Sequence, residues 1–421
     1  MIDVELLVVH AAELVTCAGP AGGLRAPRAR ELAVLVDGAV AVDGGRIVEV
    51  GTSDELLSRF AARTVLDATG RLVSPGLVDP HTHLVHGGSR DQEWEHRVTE
   101  TPWRGAERGI ASTVRATREA SSADLLERAH RDLDVMLRHG TTTIEAKTGY
   151  GLDRETELRL LDVMVALDHP IEVSPTFLGA HVVPPDYADR REDYVDLVIA
   201  LLPEARSRAE WCDVWCDPIA FTASEARRIL AVASDLGFGV RMHADQTGLA
   251  GGVPLAVELG AASVDHLDHA SDDDLAVLGG SDTVAVLLPG CTLHLFDTCT
   301  RDWPTWAGRI GRSGAVVALS TDYNPGSCPM PSMQTAMGLA SRLYRMSAAE
   351  IWHAVTLNAA AALRRGDQIG SIEMGKQADL VVWSVPSHTM VMNRFGTNLA
   401  DIVVKAGSVV VRDGERVRPA T

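Results

Sequence analysis

Eight short apolar runs alternate with helical patterns through the middle of this chain, and that alternation limits its fold more than any other feature of the sequence. The runs end near VDPHTH (78–83), TTIEAKTGY (142–150), EVSPTFLGAH (172–181), CDVWCDP (212–218), GVRMHAD (239–245), SVDHLDH (263–269), TVAVLLPG (283–290) and VVALSTD (316–322). Strands separated by helices cannot pair as tight hairpins, so they are expected to lie parallel in one sheet. The helical stretches carry their own start signals. Ser122 onward, Asp153-Arg-Glu-Thr-Glu and Ala223-Ser-Glu each place a capping residue or an acidic first turn before periodic apolar residues. Eight such units predict an α/β fold of the (β/α)8 TIM-barrel type. An open doubly wound sheet is the competing architecture, but no G-x-G-x-x-G follows the first strand.

The two ends of the chain read differently. Residues 1–70 contain β-branched strand patterns broken at Asp43-Gly44-Gly45, and ADLVVWSV and DIVVKAGSVVVRDGERV near the C-terminus are similar runs interrupted at Gly407 and Gly414. Neither arm alone is large enough to bury a sheet face. They are expected to join into one small β-sandwich, with residues 71–365 forming the barrel and 366–421 completing the sandwich. A chain of 421 residues with 46% hydrophobic content has the core for both.

Charge excludes several partners. With 57 acidic against 39 basic residues the net charge is −18, which repels nucleic acid and anionic lipid and leaves a small molecule as the expected partner. MIDVELLVVH lacks the basic flank of a signal peptide, and no apolar run approaches membrane length, so a cytoplasmic protein is expected. Cys17, Cys212, Cys216, Cys291, Cys299 and Cys328 are too scattered for a disulfide framework, and Cys212 and Cys216 read as core residues on a strand.

In a TIM barrel the chemistry sits at the C-terminal ends of the strands, and there this sequence places His81, His83, His181, His243, His266 and Asp322. His81 and His83 are two apart, so on extended backbone both imidazoles face one way and can share an ion. His243 in RMHAD and Asp322 in LSTD add a third imidazole and a carboxylate from other strand ends. Four such groups suit one divalent metal with a position left for water. His130, His139, His169 and His353, in helical stretches, read as structural.

The segment PGLVDPHTHLVHGGSR resembles the first-strand motif of the amidohydrolase superfamily, and KTGYGLD, FLGAH, MHADQ, DHLDH and TDYNPGS together resemble its imidazolonepropionase branch. GSIEMGKQADLVVW is similar to the superfamily's C-terminal β segment. The resemblance implies hydrolysis of 4-imidazolone-5-propanoate to N-formimidoyl-L-glutamate in histidine degradation, one zinc or iron ion per chain, and a homodimer. It carries metal binding to His81, His83, His243 and Asp322, and substrate contacts to Arg90, Tyr150, His181, Gln246, Asn324, Gly326 and Ser327. Asp322 would also carry protons, and His266 would assist the catalytic water or the substrate carbonyl. Elementary chemistry agrees at Arg90, whose planar fork suits a propanoate tail in an otherwise acidic protein. Gly326 is expected to let backbone approach the ligand.

One departure concerns the base: some relatives carry glutamate where this chain has Gln246, and an amide does not titrate, so base duty is expected at Asp322. Lys147, on the second strand, is not in the position of the modified lysine that bridges two metals in some superfamily members. A deaminase or another cyclic-amide hydrolase shares the same ligand set, and a catalytically silent binding protein is the alternative outside enzymes.

Overall fold

The computed structural model describes residues 1–99, 109–295 and 302–417; Cys299 lies outside them. Eight parallel strands follow one another in chain order around one sheet: Leu77–Asp79, Thr141–Lys147, Glu172–Ala180, Trp211–Cys216, Gly239–Ala244, Ser263–His266, Val284–Leu287 and Val317–Leu319. Each coincides with one of the apolar runs read from the sequence. The helices between them are capped as their sequences imply: Ser121 and Thr222 form capping boxes ahead of Ser122–Arg138 and Ala223–Asp235, and Asp153 accepts the Thr156 amide ahead of Arg154–Val165.

The sheet closes just beyond the last and first strands. Thr82 bridges Tyr323 in parallel, the His83 amide donates to the Tyr323 carbonyl at 2.8 Å and the Asp322 amide to the His81 carbonyl at 3.2 Å. Asp79 accepts from the Ser320 hydroxyl and from the backbone and hydroxyl of Thr321. The barrel is therefore fastened at its C-terminal mouth.

Two further sheets come from the chain ends. One has four strands, Arg46–Thr52, Gly38–Asp43, Ile2–Ala11 and Phe60–Asp67. The other has seven and interleaves the termini: Leu380–Trp383 pairs antiparallel with both Leu72–Pro75 and Ala400–Lys405. Strand alternation divides its side chains. Val73, Leu380, Val382 and Val404 meet Leu6, Val8, Val40 and Val42 of the smaller sheet, whereas Leu72, Val381, Trp383 and Val403 join the core that includes the barrel helices. Leu72–Pro75 runs almost directly into the first barrel strand, so the sandwich anchors the segment that carries the H-x-H pair.

Candidate active site at the barrel mouth

The strand assignment stops at Asp79, so His81 and His83 lie just past the first strand rather than on it. They still converge. One ligand atom from each of His81, His83 and His243 falls within 4.8 Å of the others, and all three side chains are buried. Asp322 Oδ1 lies 3.4 Å from His81 Nε2 and 3.8 Å from His83 Nε2. Two ligands each about 2.0–2.1 Å from a tetrahedral ion stand roughly 3.4 Å apart, so the spacing suits a metal.

Hydrogen bonding orients the donors. His81 Nδ1 lies 2.6 Å from Asp265 Oδ2 and His243 Nδ1 lies 3.1 Å from Asp213 Oδ1; a carboxylate accepts, so each Nδ1 carries the proton and each Nε2 keeps its lone pair. Those two Nε2 atoms are buried with no hydrogen-bond partner among the described residues, a costly state unless a ligand takes them. Burial, reinforced by neighbouring positive charge, holds His81 and His83 well below the ordinary imidazole range, so they are neutral donors. Burial also pushes the Asp322 carboxyl up to about 7, against the opposing pull of His243, Cys291, Asn324 and Lys147.

The backbone contributes to this aim. Asp322 and His266 have φ of 55° and 77°, left-handed values that non-glycine residues rarely adopt, and both side chains are buried against the cluster. The His266 ring centroid lies 5.5 Å from that of His243 and 5.6 Å from that of His81.

One cavity above the cluster is lined by His83, Arg90, Tyr150, His181, Gln246, His266, Asp322, Asn324 and Ser327 among others, which brings together all but one of the substrate contacts expected from the sequence. His181 stacks on His83 at 5.1 Å, and Tyr150 lies 5.4 Å from both rings. His181 Nδ1 donates to the Gly149 carbonyl at 2.9 Å and burial holds its pKa down to about 3, so it presents a neutral Nε2 that accepts.

Four of the expected contacts are engaged within the protein. Arg90 donates Nε and Nη2 to buried Glu93 at 3.0 and 2.8 Å, leaving Nη1 for a ligand. Gly326, the contact outside that cavity lining, makes room for Arg90: a Cβ there would lie 1.7 Å from Arg90 Nη1. Asn324 spends its amide on the turn, donating to the Asp322 carbonyl and Ser327 hydroxyl and accepting from the Gly326 and Ser327 amides. Gln246 Nε2 lies 3.8 Å from Cys291 Sγ, and its backbone amide donates to Asp217.

Sequence reasoning missed Asp213 and Asp265, and with them Glu145 and Arg241, which together with Lys147 form a fully buried charged floor beneath the histidines. Their one signal is a charge inside an otherwise apolar strand, as in IEAK, CDVW and VDH. Trp215 was also missed; it lines the cavity with an indole N–H that has no partner among the described residues. Arg241 donates to the Pro80 carbonyl at 2.7 Å, steadying the residue before His81.

The amidohydrolase family profile matches residues 72–415, and a bacterial imidazolonepropionase-like composite domain matches residues 38–62. The imidazolonepropionases of Bacillus cereus (strain B4264) and Bacillus cytotoxicus are each 40% identical to this chain, covering 98% of it and 98% of their own length. A solved adenosine deaminase from Xanthomonas campestris, with bound zinc, superposes with a TM-score of 0.71 at 20% identity, covering 100% of this chain and 95% of that one; at that identity the likeness is one of fold.

Proposed function

The chain belongs to the amidohydrolase family and, within it, to the imidazolonepropionases, and from that premise we propose a division of labour among the residues at its barrel mouth. It is a metal-dependent hydrolase that opens the cyclic amide of 4-imidazolone-5-propanoate to give N-formimidoyl-L-glutamate in histidine degradation. The observation that carries the site assignment is the convergence of His81, His83 and His243, two of them with unpartnered buried Nε2 atoms, against Asp322.

In this reading those four residues hold one zinc or iron ion. The ion supplies Lewis acidity, making water nucleophilic near neutral pH and drawing charge from a carbonyl oxygen. Asp322, beside the attack position, takes the proton of the water as its oxygen bonds to the ring carbonyl carbon. His266 faces the oxygen on which negative charge develops. The ring C–N bond then breaks, and Asp322 returns the proton to the departing nitrogen, leaving a formimidoyl amine and a carboxylic acid whose remaining proton is released to solvent. Gln246 orients the ring and His181 Nε2 accepts a ring N–H, while Arg90 Nη1, held by Glu93, pairs with the propanoate. Asn324 and Ser327 shape the turn against Asp322, and Gly326 leaves Arg90 its place.

A homodimer and a cytoplasmic location complete the proposal; among the described residues no helix is long and apolar enough to cross a membrane. The test is to follow the ultraviolet absorbance of imidazolonepropanoate with native, chelated and metal-restored protein. The expected result is turnover that disappears on chelation and returns on add-back. Undiminished turnover in fully demetallated protein would refute the assignment.

A further inference from the structure

The charged floor has a centre. Lys147 Nζ donates to Glu145 Oε1 at 2.8 Å and to Asp213 Oδ2 at 2.7 Å, and stands 3.7 Å from Asp265 Oδ2, with all four side chains fully buried. Two of those carboxylates contact metal-binding candidates, and the third contacts the residue between two of them. Asp213 Oδ1 accepts from both the backbone amide and Nδ1 of His243, at 3.2 and 3.1 Å. Asp265 accepts from His81 Nδ1. Glu145 Oε2 accepts the amide of Thr82, the residue between His81 and His83, at 3.3 Å. The main chain repeats that last link, since the Lys147 amide donates to the Thr82 carbonyl at 2.9 Å and the Thr82 hydroxyl to the Glu145 carbonyl at 2.7 Å.

We propose that Lys147 is the positioning residue of the metal centre: one buried ammonium fixes the carboxylates that orient His243 and His81 and the backbone that carries the H-x-H pair. The proposal rests on the metal reading above and adds a residue that touches neither ion nor substrate. Three carboxylates crowded into a dry floor would splay apart without a shared cation, and Arg241 does not replace it, since its Nε lies 3.9 Å from Glu145 Oε1 while its Nη1 and Nη2 are committed to the carbonyls of Ala362 and Pro80. An aliphatic side chain of similar length at 147 would fill the space yet leave the carboxylates free to turn, and the imidazoles with them. Partners of this kind beyond the ligands typically contribute about 10- to 100-fold to metal affinity.

The experiment uses the full chain carrying Lys147→Met, and separately Glu145→Gln, which keeps shape and loses charge. After far-ultraviolet circular dichroism and a cooperative melt establish folding, each protein is titrated with zinc against a competing chelator, and the visible absorption of its cobalt-loaded form is recorded. Lys147→Met should bind zinc roughly 10- to 100-fold more weakly, with a changed cobalt band that reports altered ligand geometry. Glu145→Gln should weaken binding in the same direction, and it decides the matter if Lys147→Met does not fold. Zinc affinity within about twofold of wild type and an unchanged cobalt spectrum in the folded variants would overturn the proposal while leaving the metal reading intact. Wild-type protein that takes up no zinc or cobalt would overturn both.

Discussion

A single methyl group at position 326 tests the tail-binding arrangement. Gly326 lies in the turn after the last barrel strand, and a Cβ built there falls 1.7 Å from Arg90 Nη1, 2.3 Å from Cζ and 2.9 Å from Nε. Ordinary contacts begin near 3.4 Å, so in Gly326→Ala the guanidinium has to retreat by well over 1 Å. The glycine is not in the left-handed region and the clash is with the far end of a flexible side chain, so the fold should tolerate the change. The bidentate pair with Glu93 should not: its 3.0 and 2.8 Å contacts set the direction of Nη1. Misplacing a substrate-positioning group by about 1 Å costs on the order of a hundredfold, near 2.7 kcal/mol of transition-state stabilisation. We therefore expect Gly326→Ala to lose about a hundredfold in kcat/KM for imidazolonepropanoate, with metal content unchanged and the melting temperature within a few degrees of wild type. Arg90→Ala should lose a comparable amount, and the double variant should be little worse than either, because both remove the same contact. If Gly326→Ala kept kcat/KM within about threefold of wild type, Arg90 would not hold the substrate where the structure aims it.

Asp322→Asn, assayed with metal in excess, should lose roughly a hundred- to ten-thousandfold in kcat, the span for a positioned acid–base group; near-wild-type kcat at full metal occupancy would leave Asp322 as a ligand only. Elemental analysis of fully active protein should give about one equivalent of zinc or iron per chain, because one ligand set converges among the described residues; two equivalents would contradict it. Glu225 offers a pH test of stability: burial alone would raise its carboxyl, but hydrogen bonds from Arg191 and from Thr222 outweigh that and bring it to about 2. Its contribution is then present above the ordinary carboxylate range and is lost as pH falls from about 5 toward 2. The melting-temperature advantage of wild type over Glu225→Gln should shrink across that interval, and a constant gap would refute it.

The barrel strands were legible because they are short, largely apolar runs that alternate with capped helices, and burial on both faces leaves such strands little freedom in composition. The convergence of His81, His83, His243 and Asp322 was legible for a related reason: all four follow or end strands of one barrel, whose C-terminal ends share one mouth. Asp213 and Asp265 were not, because one charge inside a strand does not say which partner it meets across the barrel, and His81 and Asp265 are 184 residues apart. Arg90 shows the same limit from the other side. Its type suits a carboxylate, but sequence spacing does not reveal that Glu93, three residues on, occupies one edge of the fork. Asn324 was expected at the substrate by resemblance alone, and its four hydrogen bonds to the turn are set by backbone geometry that a residue pattern does not express.

The proposed ligand set and the closure of the barrel involve the same stretch of chain. His81 and His83 follow the first strand and Asp322 follows the eighth, so the carboxylate reaches the imidazoles only because the sheet closes between them. The closing contacts run through these very residues, from the Asp322 amide to the His81 carbonyl and from the His83 amide to the Tyr323 carbonyl. A left-handed φ of 55° at Asp322 is unfavourable for an isolated aspartate and persists where neighbouring contacts over-determine it. Here Asp79, gripping Ser320 and Thr321, supplies that constraint on the two residues before it. The distance between Asp322 and His81 is thus set by the barrel's own seam, which holds the proposed acid–base group beside the proposed metal position with less freedom than a surface loop would allow.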